Sequence, residues 1–512
     1  MTTATAPEAV TSPVAGAPAA DTHTAAADTQ TAATVETPIS GRARTLALVS
    51  LLLASMMELI DITIVNVALP TIESALSASA GMLQWVVAAY PLSFGVSLIT
   101  GARLGDRFGR RRLFLAGLVG FTVASAACGF APGIEALVAF RVLQGVAAAA
   151  MVPQVLTSIQ VMYAPHERGT AMGIFSGLAG ISAVLGPILG AVLTEAAGWR
   201  WVFLVNVPIG VLALLAALRF VPESRAARAP RIDLRSAAIL SAGLLAVLYP
   251  LVMGHELGWP TWTYAVMATG VVVLAALVRS QHQQGRRGGD PMIATELYAG
   301  RAFTGGTVVG ALLFVASAGY FLANTLYFQL GLGWSVLKAG LVGIPFAVVC
   351  TVTAGLGAAV LMPRIGRAVL SLGAVVMALG AGLTAVAVVG ATSSTTFWVF
   401  VPGVIVIGAG FGFVVSSTAP LGLMHVEGRH AGAASGQFNT TGQLSNAVGA
   451  AALGTLFFEV AGRQSGSVPT DLLGPAYVVV LVVVAALSLV TAVATRIIPA
   501  DAHVGTDPTQ TH

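Results

Sequence analysis

Apolar runs of about twenty residues recur along this chain, each closed by a short stretch rich in glycine, proline or charge. They fall at 46–69, 82–102, 113–131, 134–160, 170–193, 201–220, 236–254, 261–279, 303–330, 337–361, 368–390, 397–422, 432–459 and 475–498. A helix of roughly 20 residues crosses the ~30 Å hydrocarbon core of a bilayer. Only helices and closed barrels satisfy their backbone in lipid, and runs this long exclude barrel strands. The pattern predicts an all-α, polytopic membrane protein with fourteen transmembrane helices. The connections are too short for a soluble domain; the longest, 280–302, is a polar linker (QHQQGRRGGD).

Composition agrees: the mean hydropathy is +0.87, and 9% of the 512 residues are charged, against about 25% in a soluble domain. With the N-terminus inside and sides alternating, 21 of the 25 cations fall on the cytoplasmic side. Arg200, Lys338 and Arg463 fall outside and Arg141 within a span. This is the positive-inside bias, and it supports an even number of spans with both termini cytoplasmic. It also accounts for the basic pI without a nucleic-acid partner. Residues 1–44 are an Ala/Thr/Pro-rich tail with the composition of disorder, and 499–512 form a second tail. Cys128 and Cys350 lie in apolar runs and read as small buried hydrophobes. Lys338, the one lysine, stands in VLKAG and not in a phosphate-cradling loop. Energy from ATP on this chain is therefore excluded, which leaves an ion gradient, the substrate's own gradient or a partner. Histidines fall in loops or at span ends, so neither a metal nor another cofactor is expected.

Against this background a few polar groups stand out. The first span contains ELIDITIVNVALP, with Glu58 and Asp61 one helical turn apart. A carboxylate at mid-membrane costs a few kcal/mol or more, and low dielectric favours its neutral form, so at most one of the pair need be charged at a time. Such a group can take a proton from one side and lose it to the other. A cationic or polar substrate would favour the ionised form, and that mutual exclusion amounts to antiport. Glu58 can equally be a permanently protonated hydrogen-bond donor. Arg141, in FRVLQGVAAAA, must face a cavity or an acid unless it snorkels to the interface. Between the second and third spans lies ARLGDRFGRRR, where Gly109 allows a tight turn and Asp106 can pair with Arg107 or Arg110; MPRIGR at 362–367 resembles a decayed copy. The fifth span carries Gly186, Pro187 and Gly190 in a glycine-rich face suited to kinking and close packing.

In this order, ARLGDRFGRRR, RVLQG and the Gly-Pro span resemble the signature motifs of the major facilitator superfamily. LIDITIVNVALP, LQWVVAAYPL, WRWVFLVNVPIG, YFQLGLGWSVLKAGLVGIP and AGAASGQFNTTGQLSNAVGAA resemble its fourteen-span drug:proton antiporter branch, over about 45–500. Ala102, Ser182, Ala191 and Gly442 depart from the usual pattern. The resemblance implies a major facilitator fold of two six-helix bundles, 45–220 and 303–498, with two further helices and their linkers inserted at 221–302. It implies that Asp61 couples to protons and cationic drugs, that Arg141 takes part in proton transfer, and that Asp106, Arg107, Gly109 and Arg110 latch one conformation; Glu58 is an unusual addition. Asn66, Trp85, Tyr90, Asn324, Tyr327, Gln329, Asn439 and Gln443 are candidates to line a substrate cavity, although each can equally serve helix packing or an interfacial aromatic belt.

The expectation is a monomeric, non-enzymatic exporter in the plasma membrane that exchanges small amphipathic or cationic molecules for protons. A gradient-driven facilitator, an uptake symporter and a non-transporting receptor or scaffold are the alternatives.

Overall fold

In a computed structural model of the protein the described residues are 1–3, 34–35, 41–163, 165–225, 233–289, 291–426, 431–462 and 470–500. The tail readings for 4–33, 36–40 and 501–512 and part of the linker reading, 226–232, lie outside them. The helices are α1 (Gly41–Leu76), α2 (Ala80–Phe108), α3 (Arg110–Gly129), α4 (Ile134–Met162), α5 (Pro165–Ala197), α6 (Trp201–Leu204), α7 (Asn206–Phe220), α8 (Leu234–Leu257), α9 (Thr261–Arg286), α10 (Arg301–Leu326), α11 (Val336–Leu341), α12 (Gly343–Leu356), α13 (Met362–Ile365), α14 (Ala368–Val388), α15 (Val401–Leu423), α16 (Ala431–Val460) and α17 (Thr470–Ala494). Among the described residues the extended structure is one two-residue antiparallel pairing of Thr34–Val35 with Ser224–Arg225.

Twelve helical segments among the described residues are long and apolar enough to cross a membrane. The fifth and thirteenth apolar runs of the sequence lie on α5 and α16, of 33 and 30 residues. The described apolar part of α5 is the shorter Leu185–Ala197, and α16 is diluted by Gln437, Asn439, Thr440, Thr441, Gln443, Ser445 and Asn446. Polar residues on a spanning helix belong on a face turned toward other protein, and Gln437, Thr440 and Ser445 are buried. Large apolar side chains such as Leu212 and Leu215 on α7 or Val271 and Val272 on α9 are exposed, as a surface solvated by lipid requires.

In the first half, α1 packs on α5 and α7, α2 on α4, and α3 on α4 and α7. In the second half, α10 packs on α15, α16 and α17, α14 on α15 and α17, and α12 on α15. α8 and α9 pair with each other, and α8 also lies against α2 and α16. The halves meet chiefly along two seams, α2 with α16 and α5 with α11 and α12, and α1 also touches α10 and α11.

Local chemistry sets the ends. Ser79 caps α2 by accepting a hydrogen bond from the Met82 N–H, and Ser335 caps α11 through Lys338 N. Between α2 and α3 the chain reverses at Gly109, whose φ of 112° is open to few residues other than glycine. A Cβ there would also lie 2.7 Å from Oε1 of Glu223. Gly109→Val should therefore lower the yield of folded protein, by strain of about 1–3 kcal/mol; an unchanged melting temperature of the purified variant would contradict this. Two π-helical turns, Tyr327–Gly331 after α10 and Gly357–Leu361 after α12, interrupt the regular ladder. Such bulges are frequent at functional sites, and the first holds two of the candidate cavity residues, Tyr327 and Gln329.

Candidate functional site: a buried ion pair in the first half

Asp61 sits near the middle of α1 and is wholly buried, as is Arg141 of α4 (0% and 2% exposed). The Arg141 guanidinium donates through Nη1 to Asp61 Oδ2 at 2.5 Å. The other carboxylate oxygen, Oδ1, accepts from Gln144 Nε2 at 2.8 Å and from Asn206 Nδ2 at 2.9 Å. Every side chain that faces this carboxyl is a donor, the set that a carboxylate takes up.

The partners are themselves held. Arg141 also donates to Gln144 Oε1 at 2.8 Å and, through Nε, to the carbonyl of Val86 on α2 at 3.3 Å. Its guanidinium carbon lies 4.6 Å from the ring centroid of Tyr90 and 5.9 Å from that of Phe203, within reach for cation–π attraction. Asn206 donates to Ser125 Oγ at 3.0 Å, and Ser125 to the carbonyl of Phe203 at 2.9 Å. Side chains from α1, α3, α4 and α7, with the α2 backbone, thus converge on one charge pair. A buried pair repays its desolvation only when its remaining hydrogen-bonding groups are also satisfied, and here most are: Asn206 Oδ1 alone is left without a partner.

Glu58 lies one turn away and is also buried. Its Oε1 accepts from the Tyr90 hydroxyl at 3.3 Å. The two acids therefore share a helix face but have different partners, and Tyr90 joins them by touching both Glu58 and Arg141. Glu58→Gln keeps the shape and an acceptor for Tyr90, so it should reduce transport less than a change at Asp61, in a substrate-dependent way. Dye-efflux rates for monovalent and divalent cations would check this; equal, total loss with both would reverse the ranking of the acids.

The residues expected to act as a switch occupy two places. In the α2–α3 turn, Arg110 donates to Asp106 Oδ1 through Nε at 3.1 Å and Nη2 at 2.7 Å. Arg107 is exposed, over the ring of Phe108. Glu223, which follows α7, accepts from Arg111 N at 3.1 Å and pairs with Arg112 at 3.6 Å. On α5, Gly186 and Gly190 pack against α1 just past Asp61: a Cβ at Gly186 would run into the Thr63 side chain, and one at Gly190 would lie 2.9 Å from the Ile64 carbonyl. Gly340 of α11 lies against the Pro187 carbonyl, across the seam between the halves.

The candidate cavity residues divide into separate groups. Tyr90 belongs to the charge cluster. Asn66 donates to the Ile62 carbonyl of its own helix, while Gln329 reaches across to the Val67 carbonyl at 2.9 Å. Asn324 accepts from the Tyr477 hydroxyl at 2.8 Å, and Tyr327 stacks on Tyr477 at 4.9 Å in a cluster that includes Phe328, Trp334 and Phe400. Trp85 packs in the core shared by α2, α8 and α16. Gln443 faces Gly95 of α2 and its Oε1 is buried without a hydrogen-bond partner; Asn439 is half-buried on the same helix. Gln144, Asn206 and Glu223 were not singled out from the sequence, although RVLQG and WRWVFLVNVPIG contain the first two.

The family model described as the Major Facilitator Superfamily matches residues 51–450. A probable actinorhodin transporter of Streptomyces coelicolor is 40% identical over 416 residues, 80% of this chain and 72% of that protein. A tetracenomycin C resistance and export protein of Streptomyces glaucescens is 32% identical over 78% of this chain and 73% of its own length. A cephamycin export protein of Amycolatopsis lactamdurans is 33% identical over 88% of this chain and 92% of its own length. Among solved structures, a POT family transporter in complex with 5-aminolevulinic acid superposes with a TM-score of 0.64 at 15% identity, covering 87% of this chain and 94% of that one; this similarity concerns the fold. With so much of its length matched by the family and by named export proteins, the chain belongs to the Major Facilitator Superfamily and is one of its multi-pass efflux transporters, not an enzyme.

Proposed function

We propose that the protein exports small amphipathic or cationic compounds across the plasma membrane in exchange for protons, with both termini cytoplasmic. The observation that carries this reading is the enclosed group of two acids and one guanidinium: Asp61, Glu58 and Arg141. Two carboxyls and one fixed positive charge, Asp61 paired with Arg141 and Glu58 linked to it through Tyr90, are neutral as a set when they hold one proton. Losing that proton leaves one net negative charge in a low-dielectric interior, which is costly unless a cation or polar substrate compensates it. Proton and substrate then compete for the same charge. Arg141 is paired with Asp61 when that acid is ionised.

In this reading 45–220 and 303–498 are the moving bundles of a monomer, 221–302 carries the inserted helices, and fourteen segments cross the bilayer. Asn66, Trp85, Tyr90, Asn324, Tyr327, Gln329, Asn439 and Gln443 contact substrate once the halves part. Aromatic surface with few fixed hydrogen bonds tolerates many amphiphiles. Two of the named relatives are export proteins for tetracenomycin C and cephamycin, which favours substrates of that size and polarity.

The test uses everted vesicles containing the protein, acidified inside by respiration. Adding an exported dye or antibiotic should release protons from the lumen, and a protonophore should stop substrate uptake. Uptake that persists with the protonophore present, and without proton release, would replace antiport by facilitated transport.

A further inference from the structure

The inserted helices α8 and α9 meet closely at one level and part beyond it. A Cβ at Gly270 would lie 2.8 Å from the Gly243 carbonyl, and one at Gly243 would lie 2.8 Å from the Leu274 side chain. Facing glycines let two helix backbones approach in lipid. From this contact toward the ends that carry the basic loops, a groove of about 690 Å³ opens between the two helices. Ligand pockets measure roughly 300–1,000 Å³.

Both walls change character at the same depth. On α9 the groove face runs from Val273, Ala276 and Leu277 to Ser280, Gln281 and Gln284, residues that share one side of the helix. On α8 it runs from Ile239, one turn from Gly243, to Ser236, Arg235 and Asp233. The part nearer the membrane centre is therefore apolar and the part at the helix ends polar. Ala276 is exposed, as are Val271 and Val272 above it, so the apolar part opens sideways to the hydrocarbon.

The polar end is held in place by the protein itself. Gln281 is buried; it donates to Ser236 Oγ at 2.9 Å and accepts from the Met292 and Ile293 N–H groups at 2.6 and 3.2 Å. Ser236 donates to Asp233 through N at 2.9 Å and through Oγ at 2.6 Å, so this carboxylate is occupied as the cap of α8. Arg235 is exposed and has no hydrogen bond or ion pair among the described residues, and the same holds for Arg279 beside Ser280. The acid of the groove is satisfied within the protein, whereas its cation is not.

We propose that this groove holds an anionic phospholipid from the leaflet at the basic-loop end, with its phosphate on Arg235 and an acyl chain over Ile239, Val273 and Ala276. Basic pockets between spanning helices suit such headgroups, and the apolar part gives the chain a place that water would not fill. A free phosphate would use Arg235 and leave the apolar part empty. A cationic amphiphile would match the apolar part but meet the wrong charge at the mouth.

Purified protein stripped of lipid in a neutral detergent tests this without any transport step, so the result stands apart from the antiport reading. Phosphatidylglycerol, phosphatidylcholine and glycerol 1-phosphate are added in turn. Native mass spectrometry counts retained lipid, and the thermal unfolding midpoint reports stabilisation by whatever binds the folded state. Phosphatidylglycerol should be retained and stabilising, phosphatidylcholine weaker, and glycerol 1-phosphate without effect. Arg235→Gln should weaken phosphatidylglycerol binding about fivefold, the effect of one cation near a membrane surface, and Arg301→Gln, at the same end but outside the groove, by less than about twofold. Ala276→Trp, which fills the apolar part from an exposed position, should abolish binding. Arg235 has no protein contact to lose, so its variant keeps the test decisive if the bulkier one fails to fold. Equal retention of the two lipids, undiminished binding in either groove variant, or an equal loss in Arg301→Gln would mean attraction to basic loops without a built site. Stabilisation by glycerol 1-phosphate would mean a phosphate site that needs no lipid. Any of these results overturns the proposal.

Discussion

Asp61→Asn is expected to bring proton-driven efflux below about a tenth of the parent rate. The change is isosteric, so α1 still fits against α5 and α7, but three side-chain donors then converge on a neutral amide. Asn Oδ1 can still accept from Arg141 or from Gln144, while its NH2 group turns toward another donor. The site loses its exchangeable negative charge, and Arg141 is left with Glu58 as its neighbouring acid across Tyr90. A charge-assisted hydrogen bond contributes about 1.5–3 kcal/mol, so folded protein should fall somewhat, and rates must be normalised to the amount in the membrane. The measurement is drug-dependent proton release from vesicles. Release equal to the parent's, per molecule, would remove Asp61 from the coupling step.

The second large effect is on the fold. Arg141→Met should deplete the protein from the membrane several-fold. The flexible thioether fills the space of the stem, but Asp61 keeps a carboxylate with no cation in a wholly buried position. Removing one member of a buried pair costs about 3–5 kcal/mol, a large part of a total stability of roughly 5–15 kcal/mol. Adding Asp61→Asn to Arg141→Met removes the orphaned charge. The double variant should regain most of the lost abundance while remaining unable to transport. Immunoblots of membrane fractions and thermal unfolding of purified protein would measure both changes. If the double variant is depleted as severely as the single one, the coupling between these side chains is not what holds this part of the bundle together.

The positions of these two charges were legible because an Asp or Arg in an apolar run has no inexpensive place to hide. The same reasoning did not find Gln144 and Asn206: a neutral amide in a spanning helix is common enough in helix packing that only its three-dimensional neighbours reveal its role. Asn206 stands 145 positions from Asp61 in the chain, and no periodicity connects them. Helix number met a similar limit at α16, where a protein-facing polar stripe lowers the hydropathy of a 30-residue helix. The cavity candidates fared differently from one another. Tyr90 joined the charge cluster, whereas Trp85 went to the seam beside α8, because composition marks an aromatic residue but not the face of the helix that its neighbours cover. The Asp106–Arg110 pair followed from a spacing of four on adjoining helix ends, yet Glu223, which closes the same turn, comes from beyond the sixth run.

The π-helical turn at Gly357–Leu361, which runs from α12 into α13 without a break, has a consequence for how the second half can vary. It holds one residue more than regular winding needs, so deleting a single residue there restores an unbroken α-helix at little local cost. The short α13 and the turn at Gly366 that follows it would then be rotated by about 100°, the angle between neighbouring residues in a helix. Length changes between related chains at this bulge would therefore redirect Arg364 and Arg367, even where the aligned residues stay the same.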